Sequence, residues 1–210
     1  MDDKNILELH VEQQDTDGTS KRAAEYHKRL IHQASILSEK EYQKFLLERL
    51  EKDNGFVVRK ATKFDRYYAV DREMLFKFLN DTQSDTMEYL RKIYKDDLEE
   101  TIVSFINAET TKTRGSLIEV LKHGIELSNQ KIELMYTKPA TTFNPELTKK
   151  YSRNIFSVME EVWASDKERI DVVIFLNGLA IMAFELKCNA AGQSYQDAIY
   201  QFRTDRNPKT

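Results

Sequence analysis

Cysteine is nearly absent from this chain: Cys188 is the only one in 210 residues. A lone thiol excludes an internal disulfide and fits a reducing compartment, so a cytoplasmic setting is expected. No histidine is placed to activate Cys188, which reads as a small apolar filler rather than a nucleophile. Long hydrophobic runs are missing too, since no window approaches the ~18 apolar residues of a membrane span. The start, Met1-Asp2-Asp3-Lys4, has no apolar stretch of the secretory kind. No membrane partner is therefore expected. The phosphate loop Gly-x-x-x-x-Gly-Lys-Ser/Thr does not occur, so ATP is not expected to bind these residues in that manner. The four histidines, His10, His27, His32 and His123, do not fall at metal-ligand spacings. Basic charge is not in excess either: the net charge is −3 and the sequence pI about 5.9. That balance does not mark a nucleic-acid binder, although a local basic groove can sit on an acidic protein. Arg59, Lys60, Lys63 and Arg66 form one cluster that could contact phosphate. The runs Glu99-Glu100 and Lys149-Lys150 read as solvated faces.

What is present is a 40% hydrophobic, 32% charged chain, long enough for one generous domain or two small ones. Residues 1–20 are polar and read as a flexible arm. Residues 21–52 look helical. The second part starts at a Ser38 cap with Glu41 in capping-box spacing, runs through Leu46, Leu47 and Leu50, and stops at Asn54-Gly55. Phe56–Arg59 and Tyr67–Val70 look like short strands. Residues 71–110 return to helical periodicity, and a short helix runs from about Ser116 to His123-Gly124. Strands are expected at Lys131–Tyr136 and Ile155–Trp163. An amphipathic helix is expected at Ser194–Asp205. The three prolines, at 139, 145 and 208, sit in turn or terminal settings.

The most informative stretch is Arg169–Lys187. Two apolar runs flank Asn177-Gly178, the strongest short-range signal for a β-hairpin. Asp171 opens the first run, and Glu185 and Lys187 close the second. Residues two apart in a strand share a face, so Glu185 and Lys187 emerge together while Leu186 points away. Charged groups within apolar strands are costly unless they bind something. Two facing carboxylates call for a hard divalent cation such as Mg²⁺.

These residues, with His123-Gly124-Ile125, Ile132-Glu133-Leu134, Lys138-Pro139, Asn154-Ile155-Phe156, Asn177-Gly178-Leu179 and Phe184-Glu185-Leu186-Lys187, resemble the PD-(D/E)xK nuclease superfamily. More narrowly they resemble the N-terminal nuclease domain of HsdR, the endonuclease and motor subunit of type I restriction enzymes. The resemblance touches the chain from about residue 38 to its end. It implies an α/β (α+β) fold: a restriction-endonuclease-like core, with a central mixed sheet flanked by helices and an additional helical N-terminal region. Residues 21–210 would form the nuclease domain, with a helical insertion at about 71–110 and the catalytic core at about 115–210. ATP-driven motor domains would follow in a longer chain, and ATP would bind only there.

The resemblance also assigns roles. Asp171, Glu185 and the Leu186 backbone carbonyl would hold Mg²⁺, with Mn²⁺ as a substitute. Lys187 would orient or help deprotonate the attacking water. The partners implied are double-stranded DNA and the specificity and methyltransferase subunits of a restriction complex. The family's first-helix glutamate falls on Gln43. Its Gln-x-x-x-Tyr motif places Gln201 in register, with Gln196 and Tyr200 as the second choice, and Arg203 could line the DNA side. Two alternatives stand beside this reading. One is a non-catalytic docking module using residues 71–110, and the other is a PD-(D/E)xK nuclease of another repair or defence system.

Overall fold

The structure, a computed structural model, describes residues 39–112, 116–141, 143–186 and 199. The Ser38 cap, the arm at 1–20 and the helix expected at Ser194–Asp205 lie outside these, apart from Ile199. Helix α1, Glu39–Asn54, places Tyr42, Leu46, Leu47 and Leu50 on one stripe. It ends as Asn54-Gly55 suggests. Gly55 takes a φ of 70°, and the N–H groups of Gly55 and Phe56 donate to the carbonyls of Glu51 and Leu50. Strand β1, Val57–Arg59, follows, then β2, Phe64–Asp65, and β3, Val70–Asp71. Three helices fill the periodic stretch: α2 (Arg72–Thr82), α3 (Ser84–Tyr94) and α4 (Leu98–Thr111). After α5, Leu117–His123, come β4 (Ile125–Leu127), β5 (Gln130–Ile132) and α6 (Pro145–Tyr151). The meander β6 (Phe156–Trp163), β7 (Arg169–Leu176) and β8 (Leu179–Phe184) completes the described chain.

Six strands form one mixed sheet in the order β1-β6-β7-β8-β3-β2, in which β1 runs parallel to β6 and the other pairings are antiparallel. Helix α1 covers one face, where Leu47 packs with Val158, Val172 and Leu186. A second cluster gathers Met159, Val162, Val173 and Phe175 with Phe64. The largest core lies among α2–α5 and the β4-β5 hairpin, reaching the sheet through Val70, Leu176 and Leu179.

Two expected strands change. Before β3 the chain turns rather than extends: Asp65 Oδ1 accepts from the N–H groups of Tyr67 and Tyr68, and Ala69 has a φ of 53°. The strand expected at Lys131–Tyr136 stops at Ile132. It pairs with β4 across Ser128-Asn129, both at positive φ, in a two-stranded sheet of its own. Beyond it, Gln83 captures the backbone of Glu133, accepting from its N–H and donating to its carbonyl, each at 2.8 Å. That long-range side-chain bond occupies the backbone groups the ladder would use, and the strand ends there. Pro145, expected in a turn, instead opens α6, where its fixed φ and missing N–H suit the first helical position.

The hairpin turn is held by its own side chain. Asn177 is fully buried, with a φ of 50°. Its Oδ1 accepts from Ile155 N–H at 2.7 Å, and its Nδ2 donates to Leu134 carbonyl at 2.9 Å and to Asn154 Oδ1 at 3.1 Å. Asn177→Ala leaves the Ile155 N–H and the Leu134 carbonyl without this partner, while Asn154 Oδ1 keeps the Tyr136 N–H. At about 1–3 kcal/mol for each orphaned group, a loss of about 2 kcal/mol or more is expected in urea unfolding. A loss below about 1 kcal/mol would show that water replaces the amide.

Candidate active site

The register of β7 on β8 decides where the charged residues meet. Next to the turn, Leu176 pairs with Leu179 and Phe175 with Ala180. Carried straight on, that register would set Asp171 across from Phe184 and send Glu185 to the other face. It does not carry on. Ile174 pairs with Met182, Val173 with Ala183 and Val172 with Phe184, so Ile181 is the extra residue of a β-bulge. Continued one step past the end of β8, the advanced register would set Asp171 across from Glu185, on the face away from Val172 and Phe184.

A hydrogen bond fixes this end of the hairpin. The Leu186 N–H donates to Asp171 Oδ2 at 2.7 Å. Asp171 is 7% exposed, and Oε1 of Glu185 is shielded from water. The Leu186 side chain is buried with Leu47, Val158 and Val172 under α1, which anchors the segment just past β8. Asp171 thus keeps a defined orientation, with Oδ2 engaged by an amide. Burying a carboxylate is costly unless it is hydrogen-bonded, paired or coordinates a cation. The donor chemistry fits a hard divalent ion that takes one or two carboxylates and keeps water and phosphate for its other positions. Among the described residues no group of three or more His, Cys, Asp and Glu converges as a metal cage.

Gln43 on α1 does not reach out to solvent. It is 5% exposed, and its Nε2 donates to Glu160 Oε2 at 2.9 Å and to Glu161 Oε1 at 3.4 Å. Glu160 pairs with Val172, and Val162 with Ile170, so Glu161 stands across β6 from Asp171. Glu161 has a φ of 54° and is ion-paired with Arg169. An amide here holds two carboxylates together, whereas a third carboxylate would repel them. Gln43→Glu is therefore expected to destabilise the fold above the carboxylate range. The new acid, crowded by like charge and burial, would have its folded pKa raised above the ordinary value of about 4.3. Its penalty should then be small near pH 4 and grow as pH rises. Thermal melts from pH 4 to 8 test this, with Glu160→Gln added to Gln43→Glu as the rescue. A pH-independent Tm difference would contradict the electrostatic account.

The other predicted residues divide clearly. Lys187, Cys188, Gln196, Tyr200, Gln201 and Arg203 lie outside the described residues. The basic cluster at 59–66 is largely committed to ion pairs. Arg59 holds the buried Asp71 with Nε–Oδ2 at 2.7 Å and also bonds Glu73, Lys63 bonds Glu73, and Arg66 pairs with Asp166. Hydrogen bonds from Lys63 and then Arg59 hold the Glu73 carboxyl below the usual range. This cluster ties β1 to the start of α2, where Asp71 also caps the helix by accepting from Met74 N–H. Sequence reasoning missed the Gln43–Glu160–Glu161 group, because its members lie 117 and 118 positions apart.

A mixed six-stranded sheet whose antiparallel meander carries Asp171 and runs out into Glu185, with α1 packed on one face, is a PD-(D/E)xK-like α/β core. Residues 10–210 match the type I restriction enzyme R protein N terminus (HSDR_N), and the chain belongs to that family. Among curated proteins and among solved structures, nothing matches. No described helix is long and apolar enough to cross a membrane.

Proposed function

We propose that these residues form the Mg²⁺-dependent endonuclease domain of a type I restriction-modification enzyme. It hydrolyses phosphodiester bonds in double-stranded DNA without base specificity of its own. Membership of the R protein family supports the class of enzyme. The observation that supports the site is the hydrogen bond from Leu186 N–H to Asp171 Oδ2, which draws the residue next to Glu185 onto Asp171. Asp171 and Glu185 hold the cation, with the Leu186 carbonyl as a further oxygen donor. When bound, a divalent ion polarises the scissile phosphate and offsets the charge that builds on its oxygens. The Leu186 amide keeps Asp171 oriented, so the acid is in place before the substrate arrives. Lys187 orients the attacking water, helps to take its proton and offsets phosphate charge. Gln201, or in the other register Gln196 and Tyr200, lines the DNA side with Arg203. Specificity and methyltransferase subunits select the site, and ATP drives translocation through domains outside residues 1–210. Plasmid cleavage by the assembled enzyme tests this reading. Lys187→Ala should abolish cleavage while ATP-driven translocation persists. Wild-type cleavage by that variant would remove the lysine from the mechanism.

A further inference from the structure

The segment between Tyr136 and Asn154 is clasped at its base and otherwise stands off the core. Asn154 accepts from Tyr136 N–H at 3.0 Å through Oδ1 and donates to Tyr136 carbonyl at 2.7 Å through Nδ2. The same Asn154 Oδ1 accepts from Asn177, so the base of the excursion is bonded to the turn of the acid-bearing hairpin. Within the clasp lies α6, whose seven residues bury nothing. So short a helix is marginal without tertiary packing, and here its support comes from the Asn144 cap, Pro145 and the clasp. Residues 137–153 carry Lys138, Lys149, Lys150 and Arg153 against one acid, Glu146. That is a local charge of +3 in a chain whose net charge is −3. Among the described residues none of these four cations makes an ion pair, whereas Arg49, Arg59, Arg66, Arg72 and Arg169 all do. Phe143 is 92% exposed on the same excursion, with Leu147 and Tyr151 exposed along α6.

We propose that this clasped excursion is a contact surface for the backbone of duplex DNA, in which Lys138, Lys149, Lys150 and Arg153 bind phosphates and Phe143 adds an apolar contact. The proposal rests on the nuclease reading for the choice of DNA as partner. Cations without an acidic partner on one excursion, with Lys150 resting 5.7 Å over the Tyr136 ring, supply the sequence-independent, salt-sensitive part of DNA binding. Exposed apolar groups rimmed by cations mark a contact surface rather than a solvated face. Asn177, the turn residue that anchors the clasp, lies six residues along the chain from Asp171, roughly 20 Å at the rise of a strand, or about six base pairs. A duplex engaged at the acids thus passes within reach of it.

The test is fluorescence anisotropy of a short labelled duplex against the 210-residue chain, in EDTA and over a range of salt. The variant Lys138→Gln, Lys149→Gln, Lys150→Gln, Arg153→Gln should lower the slope of log K against log salt by about 3 to 4, at about 0.9 per phosphate. Phe143→Ala should weaken binding a few-fold and leave the slope unchanged. Asp171→Ala with Glu185→Ala should bind in EDTA like the parent chain, so a failure of the metal site is read separately. The lysine, arginine and phenylalanine changes are on exposed side chains, and circular dichroism should show the fold retained in every variant. An unchanged slope and affinity in the quadruple variant would overturn the proposal, including the case in which an acidic protein subunit occupies this surface.

Discussion

Asp171→Ala in the assembled enzyme is expected to reduce DNA cleavage at least a thousandfold while ATP hydrolysis and translocation continue. Three roles are lost together. The cation loses a carboxylate, Glu185 loses the neighbour that shares the ion, and the Leu186 N–H loses its acceptor at 2.7 Å. Removing one preorganised group that stabilises developing charge already costs about 10²–10³ in rate, and loss of the ion itself adds to that. Stability should fall by only about 1–3 kcal/mol, the cost of leaving the buried Leu186 N–H without its acceptor, so the variant stays folded. This separates the site from the scaffold. Cleavage within tenfold of the parent enzyme, with the variant folded, would exclude Asp171 as a metal ligand.

Gly178→Ala is expected to prevent folding altogether. The glycine has a φ of 82°, and a Cβ built there would lie 2.4 Å from the Asp71 carbonyl oxygen and 2.5 Å from the Leu75 nitrogen. Both neighbours are backbone in the first turn of α2, so neither can rotate away. The Gly178 carbonyl also accepts from Asp71 N–H at 2.8 Å, which ties the turn to β3. A shift large enough to admit a methyl group would break that bond and pull Asp71 from Arg59. Positive φ costs a non-glycine residue about 1 kcal/mol, and backbone overlap adds several more, against a total stability of about 5–15 kcal/mol. Circular dichroism should show loss of the cooperative melt. A variant melting within a few degrees of the parent would mean that α2 yields more easily than its packing implies.

How much of this was readable beforehand depends on range. The hairpin, its Asn-Gly turn, the stop of α1 at Gly55 and the helical run of 72–111 rest on signals within a few residues, and sequence shows them. The bulge at Ile181 has no such signal, since Ile181 is one more apolar residue in an apolar run. The bulge shifts the β7–β8 pairing by one residue, and with it the face that residues past Phe184 take relative to Asp171, so the local pattern named the acids but not their register. Strand β5 ended early because Gln83, 50 positions away, captures the Glu133 backbone. The basic cluster at Arg59 looked like a phosphate contact because its acids, Asp71 and Glu73, come 12 and 14 residues later on another element. The clasp between Tyr136 and Asn154 is likewise a long-range product.

Calorimetric titration of the 210-residue chain with Mn²⁺ tests the central claim most directly. The account predicts saturable binding that Asp171→Asn weakens at least tenfold and that Asp171→Asn with Glu185→Gln abolishes, with both variants folded. Binding that survives in the double variant, or no binding by the parent chain, would contradict it.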